Sequence, residues 1–226
     1  MSEFIQAACE NRFASFHNKK SAYKRLSKID ACFVRVTMEW LDPPHLITPL
    51  LFLRSHAAYR VACEHALAGQ VAEVFPMLRS SLEYAGYALH IHANPPLAEV
   101  WLRRHDDDAC TRANKDAFAI RRVRESIHDA SERLALVYDT LYQRTIDFGA
   151  HPNEQGVSIN VVVKEQASRR IIEQVYLHGD GPALDYGLRT TAQAGICALE
   201  ILQEAFKARF EVLGVRAELV ELRQGL

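Results

Sequence analysis

Hydrophobic residues recur along most of this chain at spacings of three and four, which is the pattern of helices that bury one face. Glycine and proline interrupt the pattern where a helix should end, as at Asp42-Pro43-Pro44, at Gly69 and at Asn94-Pro95-Pro96. The pattern and its interruptions predict helices over about these residues: 3–17, 20–40, 45–68, 70–93, 96–105, 108–129, 131–150, 181–211 and 214–223.

One stretch departs from the helical spacing. Over residues 157–177, valine and isoleucine occupy alternate positions, as in Ile159, Val161 and Val163. This alternation of β-branched residues is typical of strands and predicts a β-hairpin. The chain is therefore expected to be mainly α and to form a single domain over 1–226. We expect a helical bundle with the hairpin inserted before its last long helix.

The predicted helix 70–93 carries a polar stripe beside its apolar face. Arg79, Glu83 and His90 fall within roughly 60° of one another on a helical wheel. A solvated Arg79–Glu83 pair would stabilise the helix by only about 0.2–0.5 kcal/mol. The other interpretation is a pair partly buried between helices and oriented to hold a ligand. Pro76 either kinks this helix or begins a separate one.

A second set of polar residues stands where the predicted helix 131–150 should end. Gly149 and Pro152 both favour termination, which places His151 just past the helix C-terminus. Carbonyl groups exposed there stabilise a cation, so His151 is biased toward its protonated form, which suits anion binding or acid catalysis. The alternative is that His151 caps the last carbonyls while Asn153 makes a side-chain turn.

These two sets of residues predict the candidate site. If the fold brings them together, a polar pocket between helices is formed by Arg79, Glu83, His90, His151 and Asn153. The first functional hypothesis is therefore a non-catalytic helical-bundle protein of the cell interior. Its pocket would bind a small polar ligand or a segment of a partner.

Composition narrows the partners and the location. The 226 residues include 27 basic and 28 acidic side chains, so the net charge of -1 attracts neither nucleic acid nor an anionic membrane. The first residues lack the basic and apolar segments of a signal peptide. The longest apolar run, Leu46–Leu53, is far shorter than the roughly 20 residues that span a membrane. We expect a cytoplasmic protein with no membrane contact and with five reduced cysteines.

Neither a cofactor nor a metal is predicted. The chain contains no glycine-rich phosphate loop, no Gly-Lys-Ser/Thr string and no Gly-x-Ser-x-Gly nucleophile elbow. His90 and His92 are two residues apart and point to different faces of a helix, and the repeated Glu-x-x-His motif of di-iron bundles is absent. Nucleotide-driven chemistry, serine hydrolysis and metal catalysis are therefore disfavoured.

An arginine also precedes the histidine of the second set. Arg144 and His151 are separated by six residues, and a helix with the Arg-x-x-x-Glu element Arg79 to Glu83 comes before them. In this arrangement the chain resembles the HEPN-related helical-bundle proteins of bacteria, over about residues 57–153. The resemblance implies a metal-independent ribonuclease or toxin-type defence protein that acts on RNA as a homodimer. Arg144 would then stabilise charge on the phosphate, and His151 would be the acid or base.

Two surfaces could serve such partners. The last long helix carries enough apolar residues to serve either the core or a homodimer interface. A basic cluster could contact RNA, or it could be an ordinary solvated face of a helix. That cluster consists of Lys115, Arg121, Arg122 and Arg124.

Overall fold

The chain is mainly helical, with a β-hairpin before the last long helix, as predicted. The computed structural model describes four ranges of the chain: 1–38, 46–152, 154–166 and 169–226. The predicted helix break at Asp42-Pro43-Pro44 and the predicted ligand residue Asn153 lie outside these ranges. None of the helices in the described ranges is long and apolar enough to cross a membrane.

Three long helices form the centre of the bundle. The elements are α1 (Ser2–Asn18), α2 (Lys20–Thr37), α3 (Ile47–Ala68), α4 (Val71–Ala93), α5 (Leu97–Leu102), α6 (Asp108–Ala117), α7 (Ile120–Ala130), α8 (Glu132–Thr145), a π-helical segment (Ile146–Ala150), α9 (Glu154–Ser158), β1 (Val161–Gln166), β2 (Arg169–Gln174), α10 (Pro182–Ala205), α11 (Lys207–Val212) and α12 (Val215–Leu222). The central helices α3, α4 and α10 pack against one another. Around them, α1 covers α3, α7 covers α4, α2 packs on α10 and α3, and α8 packs on both α4 and α10. Their buried apolar side chains form one continuous core.

The connection between α3 and α4 fixes how the two central helices pair. Gly69 has φ 79°, and a Cβ atom there would lie 2.2 Å from the carbonyl oxygen of His178, so only glycine fits. Two turns or more into each helix, the buried hydroxyls of Ser55 and Ser81 each donate to the other residue's backbone carbonyl, at 2.9 and 3.0 Å. These reciprocal bonds satisfy both buried hydroxyls and set the register of α3 against α4.

The prediction of one helix over 108–129 is wrong. The structure divides this stretch into α6 and α7, with an extended backbone at Ala119 (φ -56°, ψ 136°). Side chains of α4 take the carbonyls at the break: His90 Nε2 donates to Ala117 at 3.0 Å and the Tyr87 hydroxyl donates to Phe118 at 3.4 Å. The break therefore leaves few backbone groups without a hydrogen bond. It also places the side chain of Phe118 in the core.

Two other predicted boundaries also differ. The predicted helix 181–211 is divided after Ala205, where Phe206 leaves the helical conformation and packs edge-on against Phe52, with ring centroids 5.9 Å apart. The predicted hairpin began at Val157, but that residue lies in α9, where the Ser158 hydroxyl bonds to the Glu154 carbonyl one turn earlier at 2.5 Å. Local side-chain bonding there favours a helical turn over an early strand.

The hairpin is tied to the bundle at its base, while its strands lie outside. The Val175 amide donates to the Asn160 carbonyl at 2.7 Å, and the His178 amide donates to the Gly69 carbonyl at 2.8 Å. The side chains of His178 and Asn160 also form a hydrogen bond of 3.0 Å. Every residue of the antiparallel strands β1 and β2 is exposed except Val161, which is half-buried.

Candidate functional site

Arg79 and Glu83 lie between α4 and α8, where they form a cluster with Tyr142. Arg79 Nε donates to Glu83 Oε1, Arg79 Nη2 donates to the Tyr142 hydroxyl, and that hydroxyl donates to Glu83 Oε1, each at 2.9 Å. The guanidinium also lies 5.1 Å from the centroid of the Tyr142 ring. With side chains 25% and 37% exposed, the ion pair is only partly solvated and spans two helices through the tyrosine.

The three groups of this cluster satisfy one another. Burial, and next the nearby Glu83 carboxylate, raises the pKa of Tyr142 to about 12, so its hydroxyl stays protonated and keeps donating. Arg79 uses two nitrogens and Glu83 one oxygen inside the cluster. The cluster therefore fixes α8 against α4, and the hydrogen bonds already made reduce what it can offer to a ligand.

His90 lies two turns farther along α4 and is bonded to other helices. Its Nε2 donates to the carbonyl of Ala117 at 3.0 Å, so its Nδ1 accepts from the hydroxyl of Ser126 at 2.7 Å. Burial lowers the pKa of His90, which agrees with a neutral ring that donates through one nitrogen and accepts through the other. Both nitrogens are occupied, and the residue ties α4 to α6 and α7.

The helix ends in this stretch, as predicted: Gly149 within the segment Ile146–Ala150 has a non-helical backbone (φ 167°, ψ -18°), which kinks the segment. Phe148 anchors it between two rings, stacked on Phe75 at 5.3 Å and tilted against Tyr186 at 5.2 Å. The segment thus joins α4 to α10. His151 follows immediately in an extended conformation and is exposed to solvent.

A glycine in this segment meets α4 at its proline. Pro76 lies inside α4 and has no amide hydrogen, so the carbonyl of Ala72 lacks its helical donor. Gly149 packs against that carbonyl so closely that a Cβ atom would lie 2.5 Å from its oxygen. Pro76 is therefore an interior residue, and the gap that it leaves in the helix bonding is where the segment approaches.

Arg144 points to α10. Its Nη1 donates to Gln193 Oε1 at 2.6 Å and to Thr190 Oγ1 at 3.4 Å, and the guanidinium lies 5.6 Å from the centroid of the Tyr186 ring. These partners are all neutral. Within the described ranges Arg144 forms no ion pair, so its orientation is fixed while its charge is not neutralised.

A groove of about 350 Å³ runs between α8 and α10, and Arg144 lines it. Its apolar lining includes Leu136, a residue that is 65% exposed. Three arginines and one glutamate add an excess of two positive charges. We call this the α8/α10 groove; its residues include Leu136, Val137, Leu141, Ile196, Cys197, Arg133, Arg144, Glu200 and Arg223.

Glu200 is the one side-chain carboxylate among the described residues of the groove lining, and its side chain is only 11% exposed. Its two oxygens contact Arg133 Nη2 and Arg223 Nη1, both at 3.1 Å. One carboxylate thus serves two arginines, which leaves Arg144 as the guanidinium without a charged partner. The neighbouring Cys197 is no nucleophile at neutral pH because burial raises the pKa of its thiol.

The structure brings together only some of the predicted site residues. Arg79 contacts Glu83, and Arg144 lines the groove. His90 is bonded to Ser126 and Ala117, and His151 is exposed to solvent. The sequence interpretation missed Tyr142, Gln193 and Glu200. Only Glu200 gave a signal, as a carboxylate inside the apolar run 196–202.

The described residues contain no group of three or more His, Cys, Asp or Glu side chains that could hold a metal ion. Comparisons of the chain with family models, with curated proteins and with solved structures found no match.

Proposed function

We propose that this protein is a non-catalytic binding protein and that its ligand is a small anion with an apolar body, held in the α8/α10 groove. The observation that carries the proposal is that the charge of Arg144 is held at the groove without an ion-pair partner in the described chain. Gln193 and Thr190 orient its guanidinium at the groove without neutralising it. A ligand carboxylate would supply the missing counter-charge through charge-assisted hydrogen bonds.

The apolar lining accounts for the other half of the ligand. Burial of apolar surface contributes about 25 cal/mol per Å², so a hydrocarbon body in contact with Leu136, Val137 and Ile196 is favoured over a purely polar ligand. The excess of positive charge favours an anion over a cation or a neutral molecule. Both features are common in small-molecule sites, where a few polar groups orient a ligand on apolar walls.

The test is calorimetric titration with decanoate, and with decanol as a neutral ligand of the same chain length. Wild type should bind decanoate at least about tenfold more tightly than decanol, because only the carboxylate can meet Arg144. Arg144→Gln should remove that preference. The matched control is Arg121→Gln, which makes the same change in charge at a guanidinium on α7, outside the groove lining.

Several results would contradict the proposal. One is equal binding of the two ligands by wild type; another is the absence of binding altogether. A third is an equal loss of decanoate binding in Arg144→Gln and Arg121→Gln, which would indicate long-range attraction in place of a site. Circular dichroism of each variant checks that the bundle is folded.

The second candidate function is the metal-independent ribonuclease, in which Arg144 and His151 are the catalytic residues. The observation that favours it is the irregular backbone between them, where Gly149 (φ 167°, ψ -18°) breaks the helix just before His151. His151 is exposed and open to a large substrate. If wild type cleaves single-stranded RNA in the presence of a chelator and His151→Ala does not, this candidate is supported; equal cleavage by both proteins contradicts it.

A further inference from the structure

The strands of the hairpin have little contact with the rest of the described chain beyond its base. Outside the hairpin, β1 packs chiefly on the short helix α9, and the sheet contains only β1 and β2 in the described ranges. Its apolar side chains are on the surface, with Val163 57% and Ile172 72% exposed. An isolated two-stranded hairpin is marginally stable in water, and an open strand edge is a template for another strand.

The sequence of β2 is complementary to itself. Arg169, Ile171 and Glu173 alternate along the strand and therefore share one face of the sheet. When two copies of a strand pair antiparallel about a two-fold axis, the axis is perpendicular to the sheet, and each side chain stays on its own face. An axis at Ile171 places Arg169 of each copy opposite Glu173 of the other, so that two ion pairs flank a central contact between isoleucines.

The other edge of the hairpin lacks this property. An axis at Lys164 or at Glu165 of β1 would place that residue opposite its own copy, and like charges in that position are destabilising. An axis at Val163 would pair Val162 with Lys164 and would form no ion pair. The charge pattern therefore selects the β2 edge.

The ion pairs within the chain agree with this choice. Glu173 contacts Lys164 at 2.6 Å and Arg170 contacts Glu165 at 3.7 Å, whereas Arg169 has no ion pair within the described chain. Pairing of β2 with a second copy would supply one, because Glu173 of that copy would lie directly opposite.

We propose that the β2 edge is the contact between two copies of this chain. In the proposed homodimer the two β2 strands pair antiparallel about a two-fold axis at Ile171, and the two hairpins form one four-stranded sheet. Because the strands pair antiparallel, the two bundles lie at opposite ends of the paired β2 strands. This contact is independent of what the α8/α10 groove binds.

Cross-linking tests the register. Opposed residues on an antiparallel pair have Cα atoms about 4.5–5.5 Å apart, within the range that a disulfide bridges, whereas residues displaced from the axis by one position lie beyond about 7 Å from their own copies. Mild oxidation should therefore link Ile171→Cys into a disulfide dimer and should link the matched control Ile172→Cys much less. The five native thiols are free, so wild type is oxidised in parallel to give the background.

An exchange of charged residues tests the same contact without a covalent cross-link. Arg169→Glu places like charges opposite each other twice and should weaken dimerisation by about tenfold or more in analytical ultracentrifugation. Arg169→Glu combined with Glu173→Arg reverses both partners and should recover part of the loss. Arg112→Glu is the control, because it makes the same change in charge at an exposed residue of α6, away from the hairpin.

Three outcomes would overturn the proposal. The first is a wild-type protein that remains monomeric at concentrations up to about 100 µM, because a dissociation constant above that value is too weak for a specific dimer. The second is a dimer in which Ile171→Cys cross-links no better than Ile172→Cys. The third is a dimer that Arg169→Glu leaves unchanged, which would place the interface elsewhere, for instance on the apolar helices.

Discussion

Arg144 Nη1 donates to Gln193 Oε1 at 2.6 Å, from α8 to α10. The bond joins the permanently charged guanidinium of Arg144 to the neutral side-chain amide of Gln193. Because an amide oxygen orients a guanidinium without cancelling its charge, the pair holds Arg144 ready for an anion. The same geometry with a carboxylate in place of the amide would form a closed ion pair.

Gln193→Glu should therefore reduce anion binding while it preserves the fold. The substitution keeps the shape of the side chain but neutralises Arg144 internally, so decanoate affinity should fall by at least about tenfold. A partly exposed ion pair contributes about 0–1 kcal/mol, so the free energy of unfolding should stay equal or rise slightly. Calorimetric titration and urea denaturation measure the two quantities.

Gln193→Leu is the matched control for that prediction. It removes the orienting bond and leaves the charge of Arg144 in place, so affinity should fall less than in Gln193→Glu. The proposed role of Arg144 is wrong if the leucine variant loses as much binding as the glutamate variant, since orientation alone would then explain both.

Tyr142→Phe should lower the free energy of unfolding by about 1–3 kcal/mol. The variant removes the hydroxyl that joins Arg79 to Glu83 across α4 and α8, and it leaves both charged groups with one partner fewer. Urea denaturation at pH 7 measures the change. Tyr176→Phe, at a side chain 61% exposed, should change stability little, and an equal effect of the two substitutions would contradict the role of the cluster.

The same hydroxyl predicts a loss of stability in alkali. The pKa of Tyr142 is about 12 in the folded chain, because of burial first and Glu83 second, against about 10 for an ordinary tyrosine. Between these values the unfolded chain releases the proton and the folded chain keeps it, so the free energy of unfolding falls as the pH rises from about 10 to about 12. The stability difference between wild type and Tyr142→Phe should therefore shrink over this range.

Acid should weaken the fold through His90. Burial lowers its pKa below the ordinary value of about 6.5, so the unfolded chain binds a proton that the folded chain resists. The free energy of unfolding should fall as the pH drops below about 6.5. His90→Gln keeps a donor and an acceptor, and it should reduce the slope of urea midpoint against pH between 7.5 and 5.5. The exposed His105→Gln is the control and should leave the slope unchanged.

The helices could be predicted from the sequence because the spacing of apolar residues is a local property. The break between α6 and α7 could not be predicted in this way. It depends on α4 side chains, distant in sequence, that donate hydrogen bonds to the two backbone carbonyls at the break. The partnership of Tyr142 with Arg79 and Glu83 depends on the register of α8 against α4, which no spacing encodes. Arg144 was identified from its spacing to His151 along the sequence, but its hydrogen bonds in the structure are to residues of α10.

Glu200→Gln should have effects of opposite sign on binding and on stability. The carboxylate is nearly buried between Arg133 and Arg223, so its loss leaves two guanidiniums with a neutral partner and should lower the free energy of unfolding by about 1–3 kcal/mol. The groove would then carry three uncompensated arginines, and decanoate affinity should rise severalfold. A variant that is merely misfolded would lose both properties together, so weaker binding in a folded Glu200→Gln protein would contradict electrostatic control of the groove.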